Sequence, residues 1–201
     1  MIPIRDINPT ASRPVVNYAI IFTNIGFFIW ELTWARENME FLLKLYGFVP
    51  LQYLQWFEAG ADLSQLPKTP LLLNMFLHAG FLHLIANMWS LYIFGDNVEE
   101  ALGRIKYIAI YLLCGLAATM GHFASHPASE IPAIGASGAI SGVMGLYWMY
   151  FPKARIITVV PILFYPLFLA LPASVFVGVW FALQIWHGLV TLSVGAAGIA
   201  F

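Results

Sequence analysis

The chain has 201 residues, of which 61% are hydrophobic and 9% are charged, and its formal net charge at pH 7 is -1. A water-soluble domain carries about 25% charged residues, so this composition excludes an ordinary soluble domain and indicates a protein embedded mainly in lipid. The nine basic residues are scattered, which excludes a nucleic-acid-binding face. The single cysteine, Cys114, excludes an intramolecular disulfide framework and a multi-cysteine metal site.

Four stretches between successive charged residues are each long enough for a membrane helix, which needs about 20 predominantly apolar residues. No charged residue follows Arg155, and this leaves room for one more complete helix and the start of another. The sequence therefore predicts an all-α polytopic membrane helix bundle that forms a single domain over residues 1–201. Its five transmembrane helices are expected at about 14–33, 76–95, 105–125, 135–152 and 171–187, and an incomplete last helix is expected from about 196.

The segments between these helices predict an orientation in the membrane. Three prolines each remove a backbone donor, so residues 156–170 are not expected to form one continuous lipid-facing helix and are placed near the interface. The loop 34–70 mixes aromatic and charged side chains, which is typical of the membrane–water boundary. The first apolar segment is expected to remain as a signal anchor with a cytoplasmic N-terminus. This orientation fits the positive-inside rule, with Arg5, Arg13, Arg104, Lys106, Lys153 and Arg155 inside and Arg36, Lys44 and Lys68 outside.

His83 and Asn87 lie four residues apart in the second predicted helix. This spacing puts an imidazole and a carboxamide on one helical face, where both can donate hydrogen bonds to a single oxygen atom. Interhelical hydrogen bonding is the more common role of such a pair in a membrane. A zinc site made by His78 and His83 is not expected, because residues five apart diverge on a helix.

The segment Gly135-Ala-Ser137-Gly138 opens the fourth predicted helix. The flanking glycines let the backbone and a substrate approach closely, and a serine in the first helical turn lies where free N–H groups and the helix dipole stabilise an anion. These are the requirements of a nucleophile with an oxyanion site. Helix packing is the competing explanation, because Gly138 and Gly142 form a GxxxG pair.

The remaining ionisable residues offer weaker candidates. A serine nucleophile needs a base, and His187 is the only histidine that follows Ser137 in the sequence. Its position at the end of the fifth predicted helix is typical of an interfacial ring. His122 and His126 are expected to be solvated in a short loop. A solvated helix end is expected for Asp96, Glu99 and Glu100.

In this order, the motifs resemble the rhomboid family of intramembrane serine proteases. The resemblance covers nearly the whole chain. Three features carry most of it: the His-x4-His-x3-Asn helix, the Gly-x-Ser-Gly turn and the interfacial loop between the first two helices. Further similar segments are residues 2–10, 94–103, 111–118, 132–142 and 180–184.

The resemblance implies a six-helix core around a water-filled cavity. It also implies a multi-pass protein of the cell (inner) membrane that needs no cofactor or metal. The implied activity is cleavage of transmembrane segments of other membrane proteins by serine acyl transfer. Ser137 would be the nucleophile, while His83 and Asn87, with the backbone N–H of Ser137, would hold the oxyanion. The supporting residues would be His78, Gly135 and Gly138.

Two features depart from the family pattern. Residues 66–70 stand where many members carry a Trp-Arg pair before the second helix. The family's catalytic histidine lies on the sixth helix, after a glycine-rich stretch that corresponds to 195–201, so the base is expected just beyond Phe201 and the chain is expected to be a truncated form. Two alternatives remain: a catalytically inactive pseudoprotease that binds membrane-protein clients, and a small transporter with a histidine proton relay.

Overall fold

The computed structural model describes residues 1–34, 38–62, 64–162 and 165–194, with side chains except those of Trp34, Ile162 and residues 187–194. This part of the chain is mostly helical. Its α-helices are α1 (Val15–Trp34), α2 (Met39–Tyr46), α3 (Pro50–Glu58), α4 (Thr69–Leu73), α5 (Phe81–Leu102), α6 (Arg104–Ser125), α7 (Ser137–Tyr150) and α8 (Ala173–Val194). The strands are β1 (Ile2–Asp6), β2 (Arg155–Ile162) and β3 (Tyr165–Pro172). The predicted start of a last helix at about 196 lies outside the described residues.

Helices α1 and α6 are long and apolar enough to cross a membrane. The segment Thr69–Phe76 and α5 together form a third candidate span, bent by 89° at the break between them. Helix α7 has only 14 residues, which is about 21 Å of helix and shorter than a hydrocarbon core of about 30 Å. The chain is therefore a helical membrane protein whose described residues include two to three candidate spans by these criteria, and the count of five helices stays a prediction.

The second predicted helix differs from the observed one. The prediction is a helix over 76–95. In the structure, a short 3-10 turn (Asn74–Phe76) follows α4 directly, and α5 begins only at Phe81 and continues to Leu102. The backbone of Gly80 is fully extended at the start of α5. The N–H of Leu77 still donates to the carbonyl of Asn74, whereas the N–H groups of residues 78–80 lie outside the hydrogen-bond ladders of the 3-10 segment and α5. His78 consequently lies in a break in the span and not on the helix.

A three-stranded antiparallel sheet, in the order β1-β2-β3, corrects the expectation of an all-α chain. Strand β2 contains Ile156, Ile157, Thr158, Val159 and Val160, and β-branched side chains of this kind favour the extended backbone. Its partner β1 comes from the opposite end of the sequence, with Ile2 opposite Val159 and Asp6 opposite Ile156. Residues 156–170 are thus mostly a hairpin. This pairing between distant segments joins the N-terminal segment to the connection between α7 and α8.

The core lies among α5, α6 and α7. Leu91, Phe94 and Val98 of α5 pack with tyrosines of α6 and α7, and all of them are buried. Large apolar side chains on the outer surface are instead exposed, for example Leu82 and Ile105, each at 84%. An apolar outer surface on this scale suits lipid and not water.

Glu99 corrects another expectation, because its carboxylate is buried and not solvated. Its oxygens accept the backbone N–H groups of Val16 at 3.1 Å and Asn17 at 2.7 Å. Because these are the first residues of α1, Glu99 satisfies donors that have no partner within the helix and complements the positive end of its dipole. The C-terminal half of α5 therefore holds the N-terminus of α1.

The predicted interfacial loop 34–70 contains α2 and α3. Its residue Phe48 is fully buried and forms a β-bridge with Ala133, through N–H to O distances of 3.1 and 2.8 Å. Tyr53 packs against the Phe48 ring and donates to the carbonyl of Pro67 at 2.5 Å. The loop is thereby attached to the segment that leads into α7.

Candidate active site

The segment that leads into α7 makes a sharp turn at Gly135, whose φ is +111°. Residues with a side chain rarely adopt this conformation, so the turn requires glycine. The N–H of Gly135 donates to the backbone carbonyl of Asn74 at 2.8 Å, which ties the turn to the 3-10 segment before the break. Two residues later α7 begins at Ser137. The backbone N–H of Ser137 is in the first turn, so it has no acceptor within that helix.

The turn at Gly135 lies directly against the two polar side chains of α5. A methyl group on the α-carbon of Gly135 would stand 2.6 Å from Cε1 and 2.8 Å from Nε2 of His83. The same group would stand 3.8 Å from Nδ2 of Asn87. The tertiary structure therefore brings His83 and Asn87 to the turn that carries Ser137.

Asn87 contributes a buried donor to this cluster. Its side chain is 6% exposed, and its Nδ2 has no hydrogen-bond partner among the described residues. His83 is half-buried and Ser137 is also half-buried. A buried amide N–H without an acceptor costs free energy. The Nδ2 of Asn87 is therefore available to donate to an oxygen atom beside the Ser137 turn.

His78 packs behind His83. Its side chain is 2% exposed, and the two imidazole rings meet edge to face with 5.2 Å between their centroids. The rings meet because His78 lies in the break before α5, so the divergence expected of residues five apart on a helix does not apply. The backbone N–H of His78 donates to both carboxylate oxygens of Glu31, at 3.2 and 3.3 Å.

The glycines after Ser137 serve helix packing. A methyl group on Gly138 would stand 2.3 Å from Cβ of Ala118, and one on Gly142 would stand 2.3 Å from Sγ of Cys114. Both glycines therefore face α6, as the packing explanation of the GxxxG pair requires. The two explanations of the motif are compatible, because Gly135 forms the turn while Gly138 allows the helices to touch.

The other predicted histidines lie apart from this cluster or outside the described part. His122 is in the last turn of α6, and its ring stacks on that of His126 with centroids 5.3 Å apart. Both side chains are half-buried, which corrects the expectation of solvated loop histidines. His187 belongs to α8, but its side chain lies outside the described residues, as does any base beyond Phe201.

Sequence reasoning missed two residues that hold the site together. Glu31 lies near the end of the first predicted helix, and the structure buries its side chain fully against the break. Asn74 is 4% exposed, and its side-chain Nδ2 donates to Thr119 Oγ1 at 2.9 Å. A carboxylate within an apolar stretch was a usable signal for Glu31, whereas nothing in the sequence pointed to the backbone carbonyl of Asn74.

The rhomboid domain family matches residues 65–201, which is more than half of the chain. The chain belongs to the rhomboid family. This confirms the resemblance drawn from the motifs. The matched region contains α5 with His83 and Asn87, the Gly135 turn and Ser137. Rhomboid proteins are generally serine intramembrane proteases.

Individual rhomboid relatives align over shorter regions. The rhomboid-family protein YdcA of Bacillus subtilis (strain 168) is 37% identical over 79 residues, which are 39% of this chain and 37% of YdcA. The mitochondrial presenilin-associated rhomboid-like protein of Bos taurus is 32% identical over 107 residues, 52% of this chain and 27% of that protein. RHOMBOID-like protein 5 of Arabidopsis thaliana is 38% identical over 71 residues, 35% of this chain and 23% of that protein. The chain thus covers between 23% and 37% of the length of these relatives.

Proposed function

We propose that the whole protein is an intramembrane serine endopeptidase that cleaves transmembrane segments of other membrane proteins. The observation that carries this proposal is the contact of the Gly135 turn with His83 and Asn87. This contact supports a site in which the serine two residues after Gly135, at the start of α7, acts together with the polar side chains of His83 and Asn87. Membership of the rhomboid family supports the same reaction class.

In the proposed reaction, Ser137 Oγ attacks the carbonyl carbon of the scissile peptide bond, and negative charge develops on the carbonyl oxygen. Asn87 Nδ2, a ring N–H of His83 and the backbone N–H of Ser137 donate hydrogen bonds to that oxygen. The C–N bond then breaks, the amine leaves with a proton, and water hydrolyses the acyl-enzyme to release Ser137. The base that takes the hydroxyl proton is expected from the family's sixth-helix histidine, so the activity is proposed for the whole protein.

The environment proposed for this reaction is a cell membrane with the N-terminus on the cytoplasmic side. The turn, the break and the interfacial loop lie at one end of the bundle, joined through Phe48 and Ala133. The sheet and the buried Glu99 lie at the other end with the N-terminus. In this orientation Ser137 opens toward the outer side, where water enters and a transmembrane substrate can unfold.

A fluorophosphonate probe tests the nucleophile directly. The whole protein in detergent should be labelled, and Ser137→Ala should lose the label and the cleavage of a transmembrane reporter. Ser141→Ala is the matched control, because Ser141 is one turn along α7 and its hydroxyl donates to the Ser137 carbonyl at 2.7 Å. This variant should keep its label.

Retained cleavage in Ser137→Ala would end the assignment of Ser137. A protein that takes no label yet captures membrane proteins equally well with and without Ser137 would instead be a rhomboid pseudoprotease. Proton-coupled flux that depends on His83 would indicate the transporter alternative.

A further inference from the structure

Glu31 is a fully buried carboxylate that the proposed reaction does not use. It lies near the C-terminal end of α1, within a span that carries no other acidic or basic side chain. A carboxylate inside a membrane helix is costly unless it has a partner. Its partner in the described structure is the backbone N–H of His78, which both carboxylate oxygens accept.

The break in the second span explains why an acceptor is needed at that position. The α4 and 3-10 segment meets α5 at 89°, and His78 lies in the connection between them. A backbone N–H in such a break has no helical acceptor, and lipid supplies none, so the break depends on protein groups that satisfy it. Glu31 satisfies it from a neighbouring helix.

The ring of His78 is also held in place. Its Nδ1 donates to the carbonyl of Phe76 at 3.2 Å, and because a carbonyl only accepts, this contact places the hydrogen on Nδ1. The ring has 2% exposure and packs edge to face on His83. His83 in turn touches the Gly135 turn. A continuous set of contacts therefore runs from Glu31 through His78 and His83 to the turn that carries Ser137.

We propose that Glu31 is a positioning residue of the oxyanion site: it fixes the break at His78, and the His78 ring then fixes the plane of the His83 imidazole. This inference rests on the proposed function. Glu31 acts through the acceptor oxygens of its side chain and touches neither substrate nor nucleophile. The active-site geometry thus depends on a residue of the first helix, outside the region that matches the rhomboid domain family.

The test compares three replacements of Glu31 in the whole protein, with a transmembrane reporter in proteoliposomes. Glu31→Leu removes the acceptor and is expected to lower kcat about tenfold to a hundredfold, as a shift of about 1 Å in a catalytic group does, with KM within about twofold. Glu31→Gln keeps an acceptor oxygen at the same reach and is expected to stay within about threefold of wild type. Glu31→Asp keeps the charge but is one methylene shorter, so it is expected to resemble Glu31→Leu.

Glu99→Leu is the matched control for lost stability. Glu99 is also a buried carboxylate that accepts backbone N–H groups from a neighbouring element, but it lies at the opposite end of the bundle. Glu99→Leu should lower the unfolding temperature and leave kcat unchanged at temperatures where the protein stays folded. A fall in kcat for Glu31→Leu and Glu31→Asp, with rescue by Glu31→Gln, supports the positioning role.

Two results would overturn the inference. One is a wild-type kcat in Glu31→Asp or Glu31→Leu, and the other is a Glu31→Gln variant as slow as Glu31→Leu. Both results are read only after the serine probe has labelled Ser137. They therefore reject the role of Glu31 and leave the proposed function unaffected. Failure of the proposed function shows itself separately, as cleavage that survives Ser137→Ala.

Discussion

Glu99 accepts the backbone N–H of Asn17 through its Oε2 at 2.7 Å, and thereby anchors the first turn of α1 on α5. The exposed neighbour Glu100 accepts the N–H groups of Ala11 and Ser12, at 2.9 and 2.7 Å. Two consecutive glutamates thus bind successive parts of the N-terminal segment. One of them does so inside the core and the other at the surface.

Replacement of Glu99 by alanine should destabilise the protein. It removes the acceptor of the buried N–H of Asn17 and of the partly buried N–H of Val16. A buried donor left unsatisfied costs about 1–3 kcal/mol. Thermal unfolding in detergent measures the loss. Glu100→Ala should have a clearly smaller effect, because water can replace the lost carboxylate there. Equal effects of the two replacements would contradict the anchoring role of Glu99.

Gly135→Ala should impair catalysis more than it impairs folding. Alanine at φ +111° is strained, and its methyl group would stand 2.6 Å from His83 Cε1, so the ring must move from the oxyanion site. We expect kcat to fall at least about tenfold. Gly145→Ala is the control on α7, because in the described part of the chain no atom beyond its chain neighbours and the backbone of its own helix lies within 4 Å of its added methyl group. A kcat for Gly135→Ala that equals that of Gly145→Ala would show that the turn does not position His83.

Asn87→Ala should lower kcat by about a hundredfold to a thousandfold if Nδ2 is a principal oxyanion donor. KM should change little, because the charge on the oxygen is fully developed only in the transition state. Ser90→Ala, three residues further along α5, removes a hydroxyl that donates to Ala86 of the same helix at 2.9 Å. Steady-state kinetics on both variants separates a donor from a packing residue, and a normal kcat in Asn87→Ala would leave only packing.

The pH dependence of stability should report on Asp6. Burial raises the pKa of its carboxyl group, against the opposing effect of the hydrogen bond that the Tyr147 hydroxyl donates at 2.7 Å. The carboxyl group of Asp6 therefore binds its proton more tightly in the folded protein than in the unfolded chain. As a consequence, the free energy of unfolding falls as the pH rises above 3.8, the ordinary pKa of an aspartate. Asp6→Asn should flatten that decline in unfolding experiments across pH 4 to 7. A decline of the same size in Asp6→Asn would assign it to other groups.

The sequence by itself determined the membrane environment, the existence of most helices and the residues of the candidate site. These follow from local signals: long apolar stretches, the four-residue spacing of His83 and Asn87, and glycines around a serine at a helix start. The observed helices α1, α6 and α7 begin within two residues of the predicted starts at 14, 105 and 135.

Only the tertiary structure decided which distant groups satisfy one another. β1 pairs with β2 across most of the sequence, Glu99 binds the start of α1, and Glu31 fills the break at His78. A buried donor or acceptor must find a partner, but sequence does not say which one, because any suitable group that packing brings within reach will satisfy it. For the same reason the contact of Gly135 with His83 was visible only once α5 and α7 had packed together.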